Sequence, residues 1–263
     1  MRRDRDQQVP IGEWEQAEIE RSAYEAAALD SQSLRIANLA RYSEPLRSTP
    51  YPLEYCCHLL GDIRGKVALD LGCGAGENTA ILAMRGARVT ALDISPELVG
   101  LARRRLEVNN IPSANVEFVV GSAYETTLKD ASVDVVFGIG ILHHLDLGLA
   151  QQEVYRILRT GAFAIFQEPV RDSRLIRFGR RLIPYRAPDV SPYERPLTSQ
   201  ELRAFAAPFK VLEERMFGLP HLSLAGLLLP RLAPWAYRSD AAILRAAPLL
   251  RRYASIRVLK LAK

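Results

Sequence analysis

The chain has 263 residues, 48% of them apolar and 25% charged, an ordinary globular composition long enough for one large domain with elaborations and without internal repeats or low-complexity tracts. The net charge of +5 is unevenly spread: residues 1–170 hold 17 Lys and Arg against 23 Asp and Glu, a net of −6, and residues 171–263 hold 18 against 7, a net of +11. A basic half fits nucleic acid, a membrane surface, an anionic small molecule or only a solvated arginine-rich face.

The charged start Met1-Arg2-Arg3-Asp4-Arg5-Asp6 has no apolar run behind it, so no secretory signal is expected. Residues 13–42 mix polar and apolar positions at helical spacing, with Ala17, Ile19, Tyr24, Ala27 and Ala28, and predict one or two helices capping the core. Cys56, Cys57 and Cys73 form neither a disulfide framework nor a zinc pattern, and buried reduced thiols are expected. Together these features predict a cytoplasmic protein without a metal site.

From Val67 onward, strands and helices alternate. Val67–Leu71 reads as the first strand, Thr79–Arg85 as a helix and Val89–Leu92 as the second strand. Ser95-Pro96-Glu97 opens the next helix with a cap and a first-turn proline, running toward Asn109. Val116–Val120 and Val133–Phe137 are the next strands. A helix over about Leu149–Leu158 leads to a fifth strand at Ala162–Gln167. A helix near Ser199–Ala206, a strand at Val211–Phe217 and a last strand at Ile256–Leu261 complete the pattern. Short connections between repeated strand–helix–strand units predict a parallel sheet that binds ligands beyond its strands' carboxyl ends.

The first of those ends carries the clearest chemistry. Asp70-Leu71-Gly72-Cys73-Gly74-Ala75-Gly76-Glu77 places glycine at every second position between a strand and a helix, and Asp93-Ile94 ends the second strand. Glycine lets backbone pass close to a ligand without a Cβ collision. Asp93 is placed to accept hydrogen bonds from both hydroxyls of a ribose. A dinucleotide site needs G-x-G-x-x-G, so that a diphosphate rests on the helix start. Here the spacing is G-x-G-x-G, and Glu77 occupies the place of the diphosphate. The carboxylate suits the helix dipole but repels a diphosphate, so a nucleoside that is not anionic there is expected.

This loop resembles motif I of the class I S-adenosylmethionine-dependent methyltransferases. Asp134-Val135-Val136-Phe137-Gly138-Ile139-Gly140-Ile141-Leu142-His143-His144-Leu145 is similar to the fourth-strand motif of their small-molecule branch, which includes ubiquinone and menaquinone methyltransferases. The resemblance implies an α/β fold of Rossmann-like type, a doubly wound seven-stranded sheet with the last strand antiparallel. Residues 1–64 would be an N-terminal helical cap. Residues 65–263 would be the methyltransferase core, with lid insertions at about 170–197 and 218–250. It implies S-adenosylmethionine as cofactor, held by Asp70, Gly72, Cys73, Gly74, Gly76, Asp93, Ile94, Ser122, Ala123 and Gly138.

Ser122 stands where the family usually has an acidic residue facing the adenine amino group, and a hydroxyl lacks that charge assistance. At the fourth strand, adjacent His143 and His144 point in different directions, so one of them faces the site; a histidine is the default general base. Glu168-Pro169 ends the fifth strand, where a carboxylate can orient a histidine or accept a proton. The catalytic candidates are therefore Glu168, His144 and His143. The alternative for each is a packing or ion-pairing role.

Arg171, Arg174, Arg177 and Arg180 or Arg181 recur at helical spacing and make a basic stripe that is either a receptor for an anionic substrate or a solvated face. The segment Leu219–Trp235 is apolar but is broken by Pro220, Pro230, Pro234, His221 and Arg231, so it predicts a pocket lining, core or subunit contact and no membrane span. The partner expected is a small molecule with an apolar body and an anionic group, and a homo-oligomer is compatible with this. Nucleic acid is not expected, because the fourth strand lacks an Asn/Asp-Pro-Pro-aromatic element and no cysteine follows Cys73. An RNA methyltransferase and an inactive cofactor-binding scaffold are the alternatives.

Overall fold

The computed structural model describes residues 11–30, 32–172, 196–222, 231 and 233–263. Helices α1 (Ile11–Ala27) and α2 (Pro52–Leu60) precede a sheet whose strands are β1 (Val67–Leu71), β2 (Arg88–Asp93), β3 (Val116–Val120), β4 (Val133–Ile139), β5 (Leu158–Pro169), β6 (Lys210–Phe217) and β7 (Ile256–Ala262). Between them lie α3 (Glu77–Met84), α4 (Pro96–Val108), α5 (Leu147–Ile157), α6 (Ser199–Ala206) and α7 (Ala233–Ala246). The sheet order is β3-β2-β1-β4-β5-β7-β6. Only β7 is antiparallel, to both β5 and β6, whereas β1 pairs in parallel with β2 and β4. The fold is the expected Rossmann-like, doubly wound seven-stranded sheet.

Alternation at period two explains why both faces are covered. Ala68, Val135, Phe137, Ile165 and Val258 turn to one face, where Tyr55, Leu59 and Leu60 of α2 pack on them. Leu69, Leu71, Val136, Ala164, Phe166, Leu259 and Leu261 turn to the other, with Val154 and Ile157 of α5 and Leu202 and Phe205 of α6. Glu168 follows Ala164 and Phe166 on this second face, and Arg257 sits opposite it across the β5–β7 ladder.

Local signals account for most boundaries. Ser95 caps α4 by accepting the Leu98 N–H, Asp146 caps α5 by accepting that of Leu149, and Thr198 with Glu201 forms a capping box on α6. The helix expected to end near Leu158 stops at Ile157, and the fifth strand begins at once, four residues earlier than its apolar run. Leu158 already pairs with Val133, and Gly161 at φ 81° absorbs the irregularity before Phe163 pairs with Val135.

Strand order reverses between β1 and β4, which opens a crevice at their carboxyl ends. The segments after β5 and after β6 both leave from that same edge. Of the first, residues 173–195 lie outside the described residues, and with them Arg174, Arg177, Arg180 and Arg181 of the expected basic stripe. Of the second, 223–230 and 232 lie outside them, whereas α7 is anchored where Asp240 accepts the N–H groups of Gly218 and Leu219. No described helix is long and apolar enough to cross a membrane.

Candidate active site

At the end of β1 the chain makes three left-handed turns, with φ 72° at Gly72, 49° at Gly74 and 85° at Gly76. These glycines do different work. A Cβ on Gly76 would lie 2.6 Å from the Ala102 Cα, so this position lets α3 and α4 approach. One on Gly72 would lie 2.5 Å from the Ile141 Cδ1. One on Gly74 would meet no protein atom within 4 Å. Arg105 of α4 donates to the Ala75 carbonyl at 2.6 Å and fixes the loop from below.

Asp93, 8% exposed, closes the other side. Its Oδ2 accepts the Gly74 N–H at 2.8 Å and its Oδ1 the Ser95 N–H at 3.0 Å. Each oxygen keeps lone-pair capacity. Burial raises its pKa, opposed by these two backbone bonds and then by Arg21. Asp70 is fully buried beneath the loop. Its Oδ2 accepts the Thr79 hydroxyl at 2.5 Å, while Oδ1 has no partner among the described residues. Burial pushes its pKa up to about 7.

A cavity of about 300 Å³ lies over this edge. Gly72, Gly74, Asp93, Ile94, Ala123 and His144, all site candidates from the sequence, line it. So do Gly121, Tyr124, Ile139, Gly140 and Ile141 from neighbouring loops. Sequence reasoning missed its roof, the face of α1 that presents Trp14, Glu15, Glu18, Arg21, Ser22 and Glu25. A signal was available: Glu18, Ser22 and Glu25 fall at i, i+4 and i+7, one helix stripe, and the first two are buried. Arg21 pairs with Glu18 at 3.0 Å and with Glu25 at 2.9 Å.

Seven other expected residues are not in the lining. Asp70 lies beneath the loop. Cys73 packs with Ala91, Val99 and Ala102. Gly76 and Gly138 are glycines for close packing; a Cβ on Gly138 would come within 2.7 Å of the Phe166 ring. Ser122 is engaged by α1, donating to the Glu15 carboxylate at 2.6 Å. Glu168, buried, accepts the N–H groups of Ile141 at 2.9 Å and Leu142 at 2.8 Å on Oε1, and its Oε2 pairs with His143 Nδ1 at 2.8 Å. Glu168 and His143 thus hold the turn Leu142–His144 from behind. His144, its ring centroid 4.0 Å from that of His143, faces the cavity with Nδ1 3.1 Å from Glu18 Oε2.

The three cysteines are buried and unpaired, and burial raises the pKa of each thiol. No cluster of metal-ligating side chains exists among the described residues. The cavity's titratable wall has four carboxylates (Glu15, Glu18, Glu25, Asp93) against the Arg21 guanidinium. That balance fits a cationic nucleoside such as S-adenosylmethionine and opposes a diphosphate.

Comparison with known proteins agrees with this reading. The family described as "Methyltransferase domain" matches residues 69–166. An uncharacterized 37.1 kDa protein in transposon TN4556 of Streptomyces fradiae is 34% identical over 61% of this chain and 48% of its own length. A malonyl-[acyl-carrier protein] O-methyltransferase of Serratia marcescens is 33% identical over 39% of this chain and 38% of its own. For a demethylmenaquinone methyltransferase of Chlorobaculum tepidum the figures are 35%, 39% and 40%. The chain therefore spans less than half the length of these curated relatives.

Among solved structures, the geranyl diphosphate C-methyltransferase of Streptomyces coelicolor A3(2), in complex with S-adenosyl-L-homocysteine, aligns with a TM-score of 0.62 over 94% of this chain and 97% of that one, at 13% identity. The [4+2]-cyclase SpnF aligns with a TM-score of 0.52 at 19% identity over 76% and 75% of the two chains. Glycine loop and strand order agree with the family match: residues 69–166 are similar to a methyltransferase domain, and the chain shares the fold of the geranyl diphosphate C-methyltransferase.

Proposed function

We propose that this chain methylates a small molecule at the cavity between the glycine loop, the β4 turn and α1. The observation that carries this is the meeting of Gly74, Asp93 and His144 on one acidic cavity roofed by α1. The cofactor supplies an electrophilic methyl group on a sulfonium. Gly72 and Gly74 would admit its backbone-facing side, Asp93 would accept both ribose hydroxyls, and Ile94 and Leu98 would pack on the base. Glu18 and Glu25 favour the positive charge.

Alignment of an acceptor with the methyl group for in-line displacement accounts for much of the rate in such a reaction. Where the acceptor loses a proton, His144 is the base. Glu18 Oε2, 3.1 Å from its Nδ1, orients the ring and leaves Nε2 for the proton. Glu168 and His143 are positioning residues: they carry the turn that presents His144. The α1 roof excludes water from this edge.

Two measurements test this. Thermal shift with S-adenosylhomocysteine at a hundredfold over its dissociation constant stabilises a binding fold by roughly 2.7 kcal/mol. A metabolite screen with labelled S-adenosylmethionine then reads a mass gain of one methylene in the acceptor. No shift and no labelled product would reject the proposal. A shift without a product would identify a scaffold.

A further inference from the structure

A second cavity, of about 520 Å³, opens where the antiparallel strands end, between β6, β7, α6, α7 and the 3₁₀ turn Pro248–Tyr253. Six arginines line it from five different elements: Arg203, Arg215, Arg245, Arg251, Arg252 and Arg257. The described acids in its wall are Asp172, occupied by the backbone N–H and hydroxyl of Ser199, and Glu214, which pairs with Arg257 at 3.0 Å. The other five arginines have no carboxylate within 4 Å among the described residues; Arg245 donates to its own helix at Ala241, and Arg215 donates to the Arg47 carbonyl and lies over Tyr55 and Phe217.

Gathering this charge is unfavourable without a counter-charge. Burial lowers the pKa of Arg257 and Arg215, and a neighbouring guanidinium, Arg203 and Arg245 respectively, lowers it further. Guanidinium groups arriving from several directions are what a tetrahedral oxyanion accepts, through charge-assisted and bidentate hydrogen bonds. Met216, Ala241 and Leu244 give the same cavity an apolar side.

We infer that this cavity binds a phosphate-type oxyanion of two or more charges. It is distinct from the acidic cavity, because no residue lines both. It lies one strand from it, since Arg257 faces Glu168 across the β5–β7 pair on the same face of the sheet. The inference holds whether or not the methyl-transfer reading does.

The test is calorimetric titration of the whole chain with inorganic pyrophosphate at low ionic strength. Saturable binding at low-millimolar concentration or tighter is expected. Replacing the exposed pair, Arg251→Gln with Arg252→Gln, should weaken it by about tenfold per arginine, the loss of one charge-assisted hydrogen bond each. Arg203→Gln supplies an independent variant on another element. S-adenosylhomocysteine affinity, measured on the same samples, should stay at the parent value and reports that the fold and the acidic cavity are intact. Comparison of inorganic phosphate with hexyl phosphate separates two sources of the anion: tighter binding of the hexyl ester marks the head of an amphiphilic ligand, and equal binding marks a free anion. Absence of saturable pyrophosphate binding to the parent, or unchanged binding in both variants, overturns the inference.

Discussion

The two cavities of this sheet lie one strand apart and carry opposite charge. Around the glycine loop, four carboxylates face one guanidinium. At the β6–β7 end, six guanidiniums face two carboxylates, both already engaged. The first wall is tied together internally: Arg21 bridges Glu18 and Glu25, Glu15 holds Ser122, and Glu18 stands by His144. The second is tied together at Arg257, which pairs with Glu214 and donates to the Met216 sulfur and the Ser199 hydroxyl. The charge of its other arginines is left for a ligand, whereas the charge of the first both shapes the cavity and selects what enters.

The largest effect that sharpens the comparison falls on turnover. His144→Ala should lower it by roughly 10²–10⁴-fold, the range for a lost general base, with S-adenosylhomocysteine affinity nearly unchanged. Turnover within a few-fold of the parent would show that alignment alone carries the reaction and that the acceptor arrives deprotonated. Glu168→Gln, by contrast, should act first on stability. It weakens three hydrogen bonds to a buried carboxylate, at a cost of roughly 1–3 kcal/mol, read as a lower midpoint in urea.

Next in size is a pH effect beneath the acidic cavity. Burial raises Asp70 to about 7 in the folded chain, against about 3.9 unfolded. A raised carboxyl pKa contributes stability that is present in full below about pH 4 and is lost as the pH rises through about 7. By linkage the difference is of order 4 kcal/mol. Asp70→Asn should therefore flatten this limb of the urea-midpoint profile and be more stable than the parent at pH 8. Identical profiles for variant and parent would place the charge of Asp70 elsewhere in the accounting of stability.

Two glycines separate binding from folding. Gly76→Ala puts a Cβ against Ala102 at a left-handed φ, and overpacking with backbone strain should cost roughly 2–4 kcal/mol. A Cβ at Gly74 has no protein atom within 4 Å, so the effect of Gly74→Val should fall mainly on cofactor affinity, at a backbone strain of roughly 1–2 kcal/mol. Equal cofactor affinity in Gly74→Val and the parent would move the ligand away from the loop. The smallest effect is that of salt. Moderate ionic strength should weaken pyrophosphate at the arginine cavity several-fold and leave S-adenosylhomocysteine nearly untouched, since exposed charges are screened over about 8–10 Å.

How far the sequence carries is clearest along the sheet. The first four strands, the glycine loop and Asp93 are legible because each depends on neighbours within a few residues: alternation, a strand end and a left-handed turn. The boundary between α5 and β5 is not, because helix and strand abut without a turn signal and only pairing with Val133 decides the switch. The α1 roof is legible as a helix but not as part of the site, since its partners Asp93, Ser122 and His144 are more than sixty residues away. The same holds for Glu168 and the histidines. Their presence at one edge follows from topology, but which histidine faces the cavity depends on Glu168 reaching back to two backbone N–H groups and His143. The excess of arginine in the second half is visible in composition, whereas the cavity that gathers Arg203, Arg215, Arg245, Arg251, Arg252 and Arg257 exists only once five elements are packed.

The most direct test of the account is calorimetric titration of S-adenosylmethionine into the parent and the Asp93→Ala variant, with circular dichroism confirming that both are folded. The account predicts a saturable site in the parent. In Asp93→Ala it predicts a loss of roughly 1.5–3 kcal/mol for each ribose hydrogen bond removed, more than a tenfold rise in the dissociation constant. A folded Asp93→Ala chain that binds S-adenosylmethionine as tightly as the parent would contradict the placement of the cofactor at this cavity.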